Sequence, residues 1–115
     1  AVKNFFLVMG NGGELAHKPG LLVSLSVLTG GANAICELRM SSYKNSRICY
    51  IPEQLVVRNV LGVFNEDTES NNAEEHDYFV DRGKYALNQL IEYAKALRAV
   101  RDSGAGDLTA YPNGM

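Results

Sequence analysis

The sequence predicts an α/β fold built on a parallel sheet, and three observations predict it. Gly20 to Val27 (GLLVSLSV) is a near-continuous apolar run of strand length with turn signals on both sides. Leu28-Thr29-Gly30-Gly31 ends that run and opens a helical stretch, and a second strand-like run, Arg47 to Ile51, follows. Apolar runs without clean alternation suit a central parallel strand covered on both faces. Strand, glycine-rich turn, helix, strand is a βαβ unit, whose right-handed crossover makes its strands parallel.

From the N-terminus, Val2, Phe5, Phe6 and Met9 recur at three- and four-residue spacing. That is a helical pattern, and Gly10-Asn11-Gly12-Gly13 halts it. A short helical turn over Glu14 to His17 precedes Lys18-Pro19 and the first strand. After the glycine turn, the spacing predicts a helix from Ala32 to Tyr43, with Ile35, Leu38 and Ser42 on one face and Glu37 and Arg39 outward. The second strand, Arg47 to Ile51, is stopped by Pro52, and Leu55 to Val60 (LVVRNV) is a further extended candidate. Glu66, Asp67, Glu69, Glu74, Glu75 and Asp77 lie between Arg58 and Arg82, a span without Lys or Arg. This reads as a solvated loop leading into a helix, where acids in the first turn favour the dipole. From about Ala73 to Arg101, Phe79, Leu87, Leu90, Ile91, Ala94 and Leu97 form one apolar stripe, with Gly83 its weak point. Ser103-Gly104-Ala105-Gly106 stops that helix, so residues 1–101 read as the folded part and 102–115 as a flexible C-terminal tail.

Composition narrows the function classes. The 115 residues are 46% hydrophobic and 21% charged, too apolar for a disordered chain. A net charge of −2 leaves no electrostatic footprint for nucleic acid. Two cysteines, Cys36 and Cys49, cannot form a disulfide framework, which points to a reduced, cytoplasmic setting and to buried, inert thiols. The apolar stretch from Pro19 to Ile35 is broken by three serine or threonine hydroxyls, two glycines and Asn33, too polar to span a membrane. The N-terminus lacks the basic-then-apolar order of a signal peptide. His17 and His76 have no metal-ligand spacing with another His or Cys, and no nucleophilic triad or carboxylate pair is spaced for catalysis. No metal site and no catalytic side chain are expected.

The turn from Ser24 to Gly31 is the informative feature. It lies at the C-terminal end of a parallel strand, the edge on which open α/β sheets bind ligands. Two consecutive glycines permit close backbone approach, and the free N–H groups of a first helical turn favour anions or carbonyl oxygens. The plain alternative is a strand-to-helix turn that needs glycine for geometry alone. Neither the dinucleotide fingerprint nor the phosphate loop of nucleotide hydrolases is present.

Taken together, Val2-Lys3-Asn4 opening a helix, Lys18-Pro19, a buried strand ending in Ser, a Gly-Gly turn and Glu37-Leu38-Arg39 resemble the NAD(P)H-dependent FMN reductase family. That family has a flavodoxin-like, three-layer α/β/α sandwich around a parallel sheet. It includes azo-, quinone- and chromate-reducing members. The resemblance runs from Ala1 to about Val100 and corresponds to the C-terminal portion of that fold. It implies that Ser26, Val27, Thr29, Gly30 and Gly31 touch the flavin ring, mainly through backbone groups, and that Lys3 and Asn4 sit beside the flavin pocket.

Two departures affect ring contact and substrate preference. Phe6-Leu7 stand where the family usually has an Asp, and Val27-Leu28 stand where relatives are commonly richer in Gly or Ser. The family's Ser/Arg phosphate-binding loop has no counterpart in these residues and would lie upstream of Ala1. The resemblance therefore implies an oxidoreductase that passes electrons from NAD(P)H through FMN to a quinone, azo compound, flavin or similar acceptor. It also implies a homodimer or tetramer, with a missing N-terminal segment or second chain completing the sheet. On that reading, Gly20 to Val27 is short of a strand partner unless such a segment supplies it. The alternatives are a non-enzymatic flavodoxin-like α/β interaction module without cofactor, and a different nucleotide-binding α/β protein whose Gly-Gly turn meets a phosphate.

Overall fold

The computed structural model describes residues 1–11 and 13–114. Its elements are α1 (Val2–Met9), β1 (Pro19–Leu25), α2 (Gly31–Ser41), β2 (Cys49–Val57) and α3 (Ala73–Asp102), with single 3-10 turns at Val60–Gly62 and Thr68–Ser70. Among the described residues β1 and β2 form a two-stranded parallel sheet, so the chain is an α/β protein with a βαβ unit at its centre.

β1 stops at Leu25, and Ser26 and Val27, expected inside the strand, lie beyond it. The strand's faces are unequal. Leu22 and Ser24 are buried under α2, whereas Val23 and Leu25 are 51% and 63% exposed. The expectation of a strand covered on both faces is met in part. α3 lies over β2, where Phe79 packs on Val57 and Val63, and also reaches β1, yet Val23 and Leu25 stay more than half exposed.

β2 also departs from expectation, because Pro52 does not stop it. Between Gly20 and Leu22 the register partner moves from Tyr50 to Gln54, so β2 bulges outward across Pro52. A bulge is where a residue without an N–H fits within a sheet, and the extended candidate beginning at Leu55 becomes the second half of the same strand. Arg39, expected to point outward, instead reaches the bulge. Its Nη2 donates to Ile51 O at 3.0 Å and its Nε to Gln54 Oε1 at 3.2 Å.

The long C-terminal helix begins where its cap dictates. Asn72 Oδ1 accepts from Glu75 N–H at 3.1 Å, and Glu74 and Glu75 complement the dipole in the first turn. Ahead of it, Phe64 N–H donates to His76 Nδ1 at 3.2 Å and the two rings meet edge-on, which anchors the acidic loop to the helix. The helix turns most of the expected stripe inward: Phe79 is buried and Leu90, Ala94 and Leu97 are partly buried, joined by Ala86, whereas Leu87 and Ile91 are about half exposed. Ala86, at 0% exposure, is the most deeply buried residue of the helix. At its far end Arg101 Nη1 donates to His17 O at 2.7 Å.

α1 buries no residue, and Val2, Phe5, Leu7 and Val8 remain largely in water. Cys36, expected to be buried, is exposed on α2. The tail is held at Arg47, whose guanidinium donates to the carbonyls of Tyr111, Pro112 and Asn113. Among the described residues no helix is long and apolar enough to cross a membrane, and no cluster of His, Cys, Asp and Glu is arranged to hold a metal ion.

The revised helix face is testable by urea unfolding of single variants. Phe79→Ala is expected to cost about 3–5 kcal/mol, the range for removing a buried aromatic ring. Ile91→Ala is expected to cost less than about 1 kcal/mol, because half its surface is already in water. Equal losses at the two positions would restore the original stripe.

Candidate functional site

The site is built from the chain between the end of β1 and the start of α2. Ser24 is the last inward-facing residue of β1, and its buried Oγ donates to Gly31 O at 2.6 Å. Ser26 N–H donates to Val57 O at 2.9 Å, and Val60 N–H donates to Ser26 O at 3.1 Å. The turn after β1 is thereby stitched to the end of β2. Ser26 Oγ closes the turn on itself by donating to Leu28 O at 2.9 Å. Beyond Val57, Asn59 adopts the left-handed conformation (φ 50°) and its Nδ2 donates to Glu75 Oε1, tying this loop to the first turn of α3.

The two glycines have different roles. A Cβ on Gly31 would lie 2.8 Å from Ser24 Oγ, 3.1 Å from Val56 Cγ1 and 3.2 Å from Ser26 Oγ, so α2 approaches the sheet closely only because Gly31 has none. Gly30 has ordinary helical angles (φ −74°, ψ −6°) and open space where a Cβ would be. Geometry alone thus explains Gly31 and does not explain Gly30.

The turn leaves backbone donors unpaired, on residues that are exposed from Val27 to Gly30 and at Ala32 and buried at Gly31. Among the described residues, the N–H groups from Val27 to Ala32 have no acceptor, and α2 has neither a side-chain cap nor an acid in its first turn. Val27 and Leu28 flank this row at 55% and 71% exposure. A row of donors at the positive end of a helix, bordered by apolar side chains, suits a flat ligand that carries carbonyl oxygens. No titratable side chain occurs from Ser24 to Gly31, so the turn is equipped to bind and orient rather than to transfer protons. Asp107 does have a carboxyl held below the usual carboxylate range, but by Thr109 N–H and Oγ1 in the exposed tail.

Of the seven residues expected at a ligand, the structure brings together Ser26, Val27, Thr29, Gly30 and Gly31. Lys3 and Asn4 stand apart on α1. Lys3 Nζ is 2.9 Å from Glu37 Oε1, about 9 Å along the α2 axis from Gly31, and borders a groove between α1 and α2. Sequence reasoning missed a second concave surface, a groove of about 510 Å³ at the outer edge of β2. Its arginines, Arg39, Arg58 and Arg82, come from three separate elements, so no local motif announces them.

Comparison of the chain with protein-family models, curated proteins and solved structures finds no match.

The unequal glycines give a stability test. Gly31→Ala is expected to lower stability by about 1–3 kcal/mol, the range for overpacking. Gly30→Ala is expected to be neutral or to raise it by about 0.4–1 kcal/mol through the unfolded chain. Thermal melting of the two variants side by side checks both, and a reversed order would refute the assigned close approach.

Proposed function

We propose that these residues form part of the flavin site of an NAD(P)H-dependent, FMN-using oxidoreductase, within a flavodoxin-like sandwich of which the chain is the C-terminal part. The observation that carries this reading is the unpartnered N–H row of Val27 to Ala32 at the C-terminal edge of two parallel strands. The motif order that resembles the FMN reductases supports it independently. So does Gly30, which leaves open space beside that row without being required by the backbone.

The residues present fit an isoalloxazine ring. The backbone donors of Thr29, Gly30 and Gly31 would hold its carbonyl edge, and Val27 and Leu28 would cover its apolar portion and exclude water. Ser24 and Ser26 position the donors without touching the ligand, because their hydroxyls are spent on Gly31 O and Leu28 O. Lys3, paired with Glu37, is left a more distant charge on the α1 side. The chemistry that FMN supplies when bound is hydride acceptance from NAD(P)H and electron delivery to a quinone, azo compound, free flavin or similar acceptor. The chain's own part is binding and orientation, so no side chain of the turn is assigned as acid, base or nucleophile.

Titration of the full-length protein with FMN, followed by quenching of flavin fluorescence, is expected to saturate. NADH or NADPH oxidation with an added quinone is expected to require the protein. Gly30→Val places a branched side chain beside the N–H row without backbone strain. It is expected to weaken FMN about tenfold or more, equivalent to about 1.4 kcal/mol, with the melting temperature unchanged. A folded full-length protein that takes up no FMN overturns the flavin assignment and favours the cofactor-free interaction module.

A further inference from the structure

β2 is paired on one side only, since among the described residues the sheet ends there. Successive residues of a parallel strand turn their N–H and C=O groups to opposite sides. Val57 O accepts from Ser26 N–H, so Val57 faces β1, and by alternation Gln54 and Val56 present their backbone groups to the open edge. The groove runs along this edge. Arg39 from α2 walls it on the face that carries Gln54, and Tyr78 and Arg82 from α3 wall it on the other. Arg58 stands at its end, exposed and with no hydrogen-bond partner among the described residues.

The charge there is one-sided. The three arginines face a single acid, Glu53, whose Oε1 is already 2.6 Å from Arg82 Nη2. This excess of positive charge belongs to a chain whose net charge is −2. We propose that the outer edge of β2 docks an extended acidic segment of a partner protein, which adds to the sheet as a strand beside Gln54 to Val57. The backbone groups of Gln54 and Val56 supply the ladder. Adjacent side chains of a strand point to opposite faces, so two consecutive acids on the partner reach both walls, one toward Arg39 and one toward Arg82. Arg58 adds attraction at the end of the strand. Against a second copy of this chain, the same edge would set its own arginines beside their equivalents, and like charges across a pair are destabilising. The residue before the pairing stretch is protected as well, because the bulge and the missing N–H of Pro52 prevent a longer ladder.

The test uses the full-length protein labelled with ¹⁵N and the peptide Ac-TVEEVT-NH₂. Saturable shifts of the Gln54 and Val56 amides are expected, weakening as salt is raised past the point where the Debye length falls below about 8 Å. The control Ac-TVKKVT-NH₂ is expected to bind at least about tenfold more weakly. So is the acidic peptide with alternate amides N-methylated, which keeps the charge and removes the ladder. Arg58→Glu is expected to weaken the acidic peptide by a similar factor with unchanged melting. Equal binding of the lysine or methylated peptide overturns the proposal. So does concentration-dependent shifting of the same two amides without peptide, which would show a second copy on the edge.

Discussion

The contact between Ser24 and Gly31 sets the geometry on which the rest depends. A buried hydroxyl left without a partner costs about 1–3 kcal/mol, and Ser24 avoids that cost by donating to the carbonyl of Gly31. It can do so only because Gly31 has no Cβ, so the first turn of α2 lies directly on the sheet. The helix then runs back over β1 and buries Ile35 before the chain enters β2. The same close approach leaves the N–H groups at the start of that helix without an acceptor among the described residues. One backbone contact therefore fixes both the packing of the βαβ unit and the direction in which its binding groups point.

Local signals made much of this legible. The apolar run at Gly20, the Gly30-Gly31 turn and the Asn72 cap each act within a few residues, and each element begins or turns where the sequence indicates. Features that depend on distant residues were not legible. Pro52 reads as a strand terminator, and only the register against Gly20 and Leu22 reveals the bulge that accommodates it. Helical periodicity identifies a stripe on α3 but not the angle at which the sheet takes it, so Ala86 is buried and Leu87 is not. Arg39 appears solvent-facing by spacing, yet the Ile51 carbonyl freed at the bulge draws it in. In the candidate site, the contiguous residues Ser26 to Gly31 were readable as a turn. Lys3 meets Glu37 across two helices that are distant in the chain, a contact that nothing local specifies.

The two outer edges of the sheet are physically unlike. Gly20 to Val27 contains no charged residue, and its outward side chains Val23 and Leu25 are mostly in water. An uncharged, apolar edge is the kind that pairs readily with any strand offered to it. The β2 edge carries Pro52, a bulge and three arginines, devices that restrict pairing to a complementary partner. The flavin turn lies at the end of the permissive strand, and the arginine groove along the selective one.

The Arg101–His17 hydrogen bond joins residues 84 apart in the chain, whereas β1 and β2 meet across about 30. Loop-closure entropy rises by about 0.6 kcal/mol per doubling of length, so the pairing of β1 with β2 and the packing of Phe79 on Val57, nearer still in the chain, both close at lower cost than the contact at the far end of α3. The far end of the helix joins last in that order and, with the tail gripped by Arg47, forms the segment whose detachment disturbs the sheet least.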